Sequence, residues 1–260
     1  FTNSGLAAGI ATVNLSERPY EEWDGFAAAC STYGSFSYLK YGPMRLFSQL
    51  AQDSPIHVGR VIWIAGHSGP ETADDSRTHF GVFAPGVTQL FPRGHVIDLH
   101  PWEYNEVPVV LAAGLAAGAP ILALHLTRPA IAVPDRAALG LASHFEAARG
   151  AYVLRPYRED RPKRGTILVQ GTLSTLNTVK ILPRLDQEGL NVKIVAAISP
   201  ELWRRQEEAW RERVLPPEDW LDSTVITNRG RRLMHDWLAH PIAEEYAMSS
   251  DFDDRWRTGG

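Results

Sequence analysis

The segment V-I-W-I-A-G-H-S-G-P-E-T-A-D-D-S-R-T-H, residues 61–79, gathers the side chains best suited to chemistry: His67, Ser68, Asp75 and His79. The turn Gly66-His67-Ser68-Gly69 after an apolar run resembles a G-x-S-x-G elbow, where a strained strand-to-helix turn exposes a nucleophilic serine. Pro70 stands where the last glycine is needed, and an acidic stretch follows instead of an apolar helix. His67, Asp75 and His79 also offer two imidazoles and a carboxylate, a set that suits zinc or non-haem iron, although their spacing matches no established ligand pattern. A third reading needs no chemistry, because Ser68, Thr72, Asp74 and Ser76 can all close turns through local hydrogen bonds.

These residues need a scaffold, and the sequence predicts an α/β one. Residues 60–65 (R-V-I-W-I-A) are continuously apolar after the arginine, as expected of a parallel strand buried on both faces, and they run directly into the polar loop 66–77. Loops at the carboxyl ends of parallel strands are where such sheets carry their sites. A strand at 95–99 leads to Pro101, which with Glu103 and Glu106 predicts a helix start. Residues 107–124 are apolar, but Gly114, Gly118 and Pro120 divide them into a helix and a strand at 121–126 that ends just before Arg128. Residues 133–164 are loop-rich and end in charge, which predicts a connection between domains. The pattern then resumes with strands at 166–170, 192–197 and 224–227, a helix ending near Gly189, a helix capped by Ser199, and a final helix rich in Arg and Trp. Residues 201–213 read as a solvated helix face with Leu202, Trp203, Ala209 and Trp210 partly packed.

Composition sets limits. The chain has 260 residues, 44% hydrophobic and 22% charged, with a net charge of −4. These values fit a folded globular protein and give no electrostatic footprint for nucleic acid or an anionic membrane, so the expected partners are small molecules or proteins. Cys30 is the single cysteine, which excludes an internal disulfide, predicts a buried small apolar side chain and favours the cytoplasm. The chain starts at Phe1 and reads as part of a longer polypeptide.

The loop also resembles the transketolase family's H-D-S-x-G-x-G-E-D-G-P-T-H segment. His67 matches its first histidine, Asp75 lies eight residues on and His79 twelve on, each in register. The resemblance continues in order. Thr32-Tyr33-Gly34-Ser35-Phe36 is similar to the family's aromatic segment, Met44-Arg45-Leu46 to the helix that follows it, and His100-Pro101-Trp102-Glu103-Tyr104-Asn105-Glu106 to R-P-A-D-x-N-E. Leu126-Thr127-Arg128-Pro129 resembles L-S-R-Q. Ile198-Ser199-Pro200-Glu201-Leu202 through Gln206, and Arg213-Val214-Leu215-Pro216, resemble the start of the carboxyl-terminal domain.

The resemblance implies two three-layer α/β/α domains with mainly parallel sheets: a pyrimidine-binding domain at 1–133, a linker at 134–164 and an incomplete carboxyl-terminal domain at 165–260. It implies an enzyme that uses thiamine diphosphate as electron sink to move a two-carbon ketol unit from a ketose to an aldose. Tyr33 and Phe36 would pack on the cofactor's pyrimidine ring, and His79 would stand near its amino group as a catalytic residue. His67, also catalytic, and Arg128 would hold a sugar phosphate, and Asp75 would meet a substrate hydroxyl. No metal ligand is assigned within the chain, because the family's diphosphate and Mg²⁺ site, a G-D-G followed by Asn, belongs to an amino-terminal domain and this chain contains no G-D-G. The family's catalytic glutamate would align immediately before Phe1, so the chain alone is expected to be inactive. A homodimer, or a complex with a separate amino-terminal chain, would complete the site. Ser68 and Pro129 depart from the family's Asp and Gln, which leaves sugar preference open. The alternatives are a related thiamine-diphosphate enzyme such as a 2-oxo-acid dehydrogenase first component, a non-catalytic subunit, or, more distantly, a serine hydrolase using Ser68.

Overall fold

The computed structural model describes residues 1–66 and 81–254. The first sheet is wholly parallel and consists of β1 (Ala28–Tyr33), β2 (Val61–Gly66), β3 (Val96–Leu99) and β4 (Ile121–His125) in the order β1-β2-β4-β3. Period-two alternation divides its side chains. Val61, Trp63, Val96, Ile121 and Ala123 meet Ala7, Ala11, Met44 and Phe47 of helices α1 (Thr2–Ala11) and α2 (Tyr41–Asp53) on one face. Ile97, Leu99, Leu122 and Leu124 face the other way, toward α3 (Glu106–Ala117). A Cβ on Gly114 would lie 3.2 Å from Leu99 and 3.3 Å from Leu122, so glycine there lets α3 approach the sheet closely. Cys30 is buried in the α1/α2 layer, as its type suggested.

The second sheet contains β5 (Ala151–Arg155), β6 (Thr166–Gln170), β7 (Lys193–Ala197) and β8 (Ser223–Thr227) in the order β5-β7-β6-β8. Only β5 is antiparallel. Helix α4 (Thr172–Gln187) packs on one face through Val179 and Leu182. The other face is covered by Val214 of α6 (Glu208–Val214) together with Met234, Trp237 and Ala247. Between α4 and α6 lies α5 (Pro200–Arg204), capped by the Ser199 hydroxyl, which accepts from Leu202 N at 3.3 Å. The remaining helices are the short α7 (Pro217–Leu221) and α8 (Pro241–Glu245). The α/β class with mainly parallel sheets thus agrees with the sequence pattern.

Four local expectations are corrected. The helix after Pro101 begins only at Glu106, because the Glu103 and Glu106 carboxylates are drawn into the core instead of lying along a first turn. Glu106 accepts from Trp102 N at 2.9 Å and from Tyr152 Oη at 2.5 Å, and Arg136 Nη2 donates to Glu103 at 2.9 Å and Glu106 at 2.8 Å. Residues 134–164, expected as linker, contain β5, whose Tyr152 and Leu154 are buried; its alternating A-Y-V-L-R pattern is hidden by the prolines and charges around it. Residues 201–213 form two short helices rather than one; Leu202 packs inward as expected, but so does the carboxyl group of Glu201, against the expectation of a solvated face. The Arg- and Trp-rich stretch after β8 forms a four-residue 3-10 turn, Arg231–Met234, not a helix.

Gly150 separates the turn His144–Arg149 from β5 with φ of +82°, and a Cβ there would lie 2.2 Å from Trp203 N and 2.5 Å from Ser199 O. Gly140 has φ of +64° with open space around it. Gly150→Ala is therefore expected to cost about 3 kcal/mol or more, and Gly140→Ala only about 1 kcal/mol of backbone strain. Equal losses of stability in urea denaturation would contradict the packing described for Gly150.

Candidate functional site

Tyr33 ends β1, Gly66 ends β2 and Arg128 follows the end of β4. These three strands are adjacent and parallel, so the residues share one edge of the sheet, where an α/β protein presents its crevice. The Tyr33 and Phe36 rings meet edge to face at 6.1 Å and 72°. Tyr33 keeps 39% of its surface exposed and Phe36 is half-buried, leaving aromatic surface for a ligand. The 3-10 turn Gly34–Lys40 that carries Phe36 is fastened from below. Buried Lys40 donates to Cys30 O at 2.7 Å and Ile64 O at 3.3 Å, and its ammonium lies 5.8 Å from the Trp63 ring centroid. Burial lowers the Lys40 pKa from its ordinary value. Arg128 is exposed, and the segment after it is held by Tyr104 Oη, which donates to Pro129 O at 3.1 Å.

His67, Ser68, Asp75 and His79 lie outside the described residues. The structure therefore brings Tyr33, Phe36 and Arg128 to one edge, together with the strand end from which that loop departs. It leaves the hydrolase and metal readings of the loop where the sequence put them.

Behind this edge lies a buried polar cluster that the sequence reading did not single out. Asp98 on β3 and His125 on β4 bond at 2.7 Å through Oδ1 and Nε2, and the His100 ring stacks on His125 at 4.4 Å with 11° between planes. All three are buried and could in principle offer ligand atoms to a metal. Imidazole lone pairs lie in the ring plane, and two stacked, nearly parallel rings cannot both aim theirs at one ion. His100 Nδ1 is also occupied by Arg229 Nη1, which donates as well to Gln170 Oε1 at 3.1 Å. The set is a hydrogen-bonded cluster, not a preformed metal centre.

Its protonation follows from counting hydrogens. The Thr88 hydroxyl lies 2.7 Å from Pro85 O and 2.8 and 2.7 Å from the two Asp98 oxygens, and one hydrogen cannot serve three acceptors. A protonated Asp98 resolves this: its own hydroxyl donates to Thr88, Thr88 donates to Pro85 O, and the other oxygen accepts from His125. Burial, opposed by the Thr88 hydrogen bond and by Arg229, pushes Asp98 up to about 7, and burial holds both imidazoles well below their usual value. The His125–Asp98 contact is thus a hydrogen bond rather than an ion pair. Glu201, which accepts from Asp98 N at 3.0 Å, is pushed up to about 8 by burial and then by Asp98. The sequence signal for this cluster was a polar residue inside an otherwise apolar strand: Asp in V-I-D-L and His in I-L-A-L-H.

Acids whose folded pKa is raised stabilise the fold fully below their unfolded values near 4, and that contribution is lost as pH rises through about 7 for Asp98 and about 8 for Glu201. Asp98→Asn keeps a neutral group that can donate to Thr88 and accept from His125. Between pH 4 and pH 8 its unfolding free energy is expected to gain on that of the parent by on the order of 1–3 kcal/mol. A pH-independent difference in urea denaturation would refute the neutral Asp98.

No family model matches the chain. Transketolase 1 of Pasteurella multocida is 28% identical over 192 residues, which cover 74% of this chain and 27% of that protein. The transketolase of Geobacillus stearothermophilus is 28% identical over 157 residues, 60% of this chain and 23% of its own length. Among solved structures, Pichia stipitis transketolase in complex with sedoheptulose-7-phosphate superposes with a TM-score of 0.60 at 20% identity, covering 76% of this chain and 26% of that one. The chain spans about a quarter of the length of the curated relatives it matches. By sequence similarity and by the arrangement of its two sheets, it is an α/β protein of transketolase-like fold.

Proposed function

We propose that this chain is the pyrimidine-binding portion, with most of the carboxyl-terminal domain, of a transketolase-like transferase acting on sugar phosphates, with units at 1–133 and 165–260 and β5 of the intervening segment joined to the second sheet. The observation that carries the reading is the convergence of Tyr33, Phe36 and Arg128 on one strand edge, in a chain similar over 74% of its length to a transketolase. The exposed face of Tyr33 and the half-buried Phe36 fit a flat heterocycle, which supports a thiamine diphosphate site there. That cofactor, when bound, supplies the electron sink for cleaving and remaking a carbon–carbon bond next to a carbonyl; its Mg²⁺ and diphosphate contacts would come from a domain this chain does not include.

The chain's own residues then bind and orient. Tyr33 and Phe36 set the plane of the ring, held rigidly because Lys40 ties their turn to the strand carbonyls. His79 donates or accepts a proton beside the ring's amino group. Arg128, with five N–H donors on a planar fork, grips the sugar phosphate with His67. Asp75 accepts from a substrate hydroxyl and penalises the wrong epimer by being left unpaired. A homodimer or a separate amino-terminal chain would complete the site, and exposed Leu6 and Ile10 on α1, with Phe1 just before it, offer apolar surface to such a partner. Among the described residues no helix is long and apolar enough to cross a membrane, and the proposed location is the cytoplasm.

The test uses the protein as its gene encodes it. Two-carbon transfer from a ketose phosphate, dependent on added thiamine diphosphate and Mg²⁺, is the expected result. Arg128→Ala should raise KM for phosphorylated sugars about tenfold or more with kcat changed far less, and Asp75→Ala should narrow the preference between epimeric sugars. Absence of both thiamine diphosphate binding and ketol transfer would overturn the reading, and unchanged KM in Arg128→Ala would remove the phosphate role.

A further inference from the structure

At the opposite edge of the first sheet, the residues just before β2, β3 and β4 enclose a cleft of about 470 Å³. Arg60, His57 and His95 line it, and no Asp or Glu is among its described lining residues, although the chain as a whole carries a net charge of −4. The Arg60 guanidinium has no hydrogen-bond or ion-pair partner among the described residues. It hangs over the end of α3, its Nη2 4.0 Å from where a Cβ on Gly118 would be. The nearest carboxylate in sequence, Asp53, accepts from Gln52 Nε2 at 2.8 Å and does not line the cleft. Apolar surface lies beside the charge, because Trp23 and Ile56 are both partly exposed and both line the same space.

The walls are already built. Asn14 Nδ2 donates to His57 O at 3.0 Å, His57 N to Pro19 O at 2.9 Å and Gly59 N to Ala11 O at 2.7 Å, so the loop between α2 and β2 is pinned to two other segments. Gly59 must be glycine, since a Cβ there would lie 2.6 Å from the Trp23 ring. On the far side Ser48 Oγ and His95 Nδ1 meet at 2.6 Å, which fixes that ring and leaves Nε2 for a ligand. A half-buried guanidinium with unspent donors, two imidazoles, no carboxylate and a flat apolar wall match one chemistry.

We propose that this cleft binds a small phosphate monoester with a flat apolar body, its phosphate on Arg60 with His57 and His95 and its body against Trp23 and Ile56. The site is a strand length, about 15–20 Å, from the edge that carries Tyr33 and Arg128, so the two can be tested separately.

The experiment is calorimetric titration of the 260-residue chain with inorganic phosphate and with phenyl phosphate, carried out in an Arg128→Ala background that removes the phosphate contact proposed at the other edge, with and without Arg60→Ala. Saturable binding of both ligands is expected in the Arg128→Ala chain, phenyl phosphate about fivefold or more tighter than phosphate, with both weakened about tenfold or more when Arg60→Ala is added. Arg60→Met, which keeps the aliphatic stem, gives the same reading if Arg60→Ala unfolds. The proposal is overturned if, in the Arg128→Ala background, no saturable binding is found up to about 20 mM, or if binding survives when an Arg60 variant is added.

Discussion

Arg136 carries a guanidinium into the interior, and a buried cation must be matched or the fold gives way around it. It bonds to Glu103 and Glu106 through Nη2 and to Tyr152 Oη and Ala142 O through Nη1, and it lies 4.5 Å over the Trp102 ring. Burial pushes Glu106 up to about 7, opposed by Arg136 and by the hydrogen bonds it accepts from Tyr152, Arg136 and Trp102 N. Removing one member of such a set costs about 3–5 kcal/mol, because the remaining charge is stranded in a dry interior. The participants come from the turn before α3, from the connection after β4 and from β5. One ion network therefore fixes where α3 starts, where β5 lies and how the two sheets face each other.

That geometry governs the two polar regions at the strand ends. The outer one, with Tyr33, Phe36 and Arg128, lies at the surface. The inner one is largely buried: Asp98, His100 and His125 on the first sheet meet Gln170, Glu201 and Arg229 from the second. Where the transketolase pattern has an arginine ahead of P-A-D, this chain has His100, and a guanidinium arrives from Arg229 across the interface.

Legibility in the sequence tracked the range over which each feature is determined. β2, β6 and β7 could be read because a parallel strand buried on both faces is a continuous apolar run with turn residues at its ends. The Ser199 cap could be read because its partner is three residues away. Arg128 and the aromatic pair were singled out through motif register, and the sheet places them at one edge. The helix start after Pro101 was misplaced because local acidic signals were overridden by Arg136, some thirty positions later. The inner cluster was missed because its members are joined over separations of 27 to 129 positions, which no window along the chain contains.

The core makes the same point on the scale of the whole chain. One apolar cluster runs without interruption from Ile97, Leu99 and Leu122 through Trp102 and Tyr152 to Val169, Ile194 and Leu202. The two sheets are therefore not beads on a string. Cutting the gene near position 134 to obtain either half alone would leave Trp102 facing water in one product and an unmatched Arg136 in the other. The natural unit of handling, whether for expression, crystallisation or grafting onto another scaffold, is the pair.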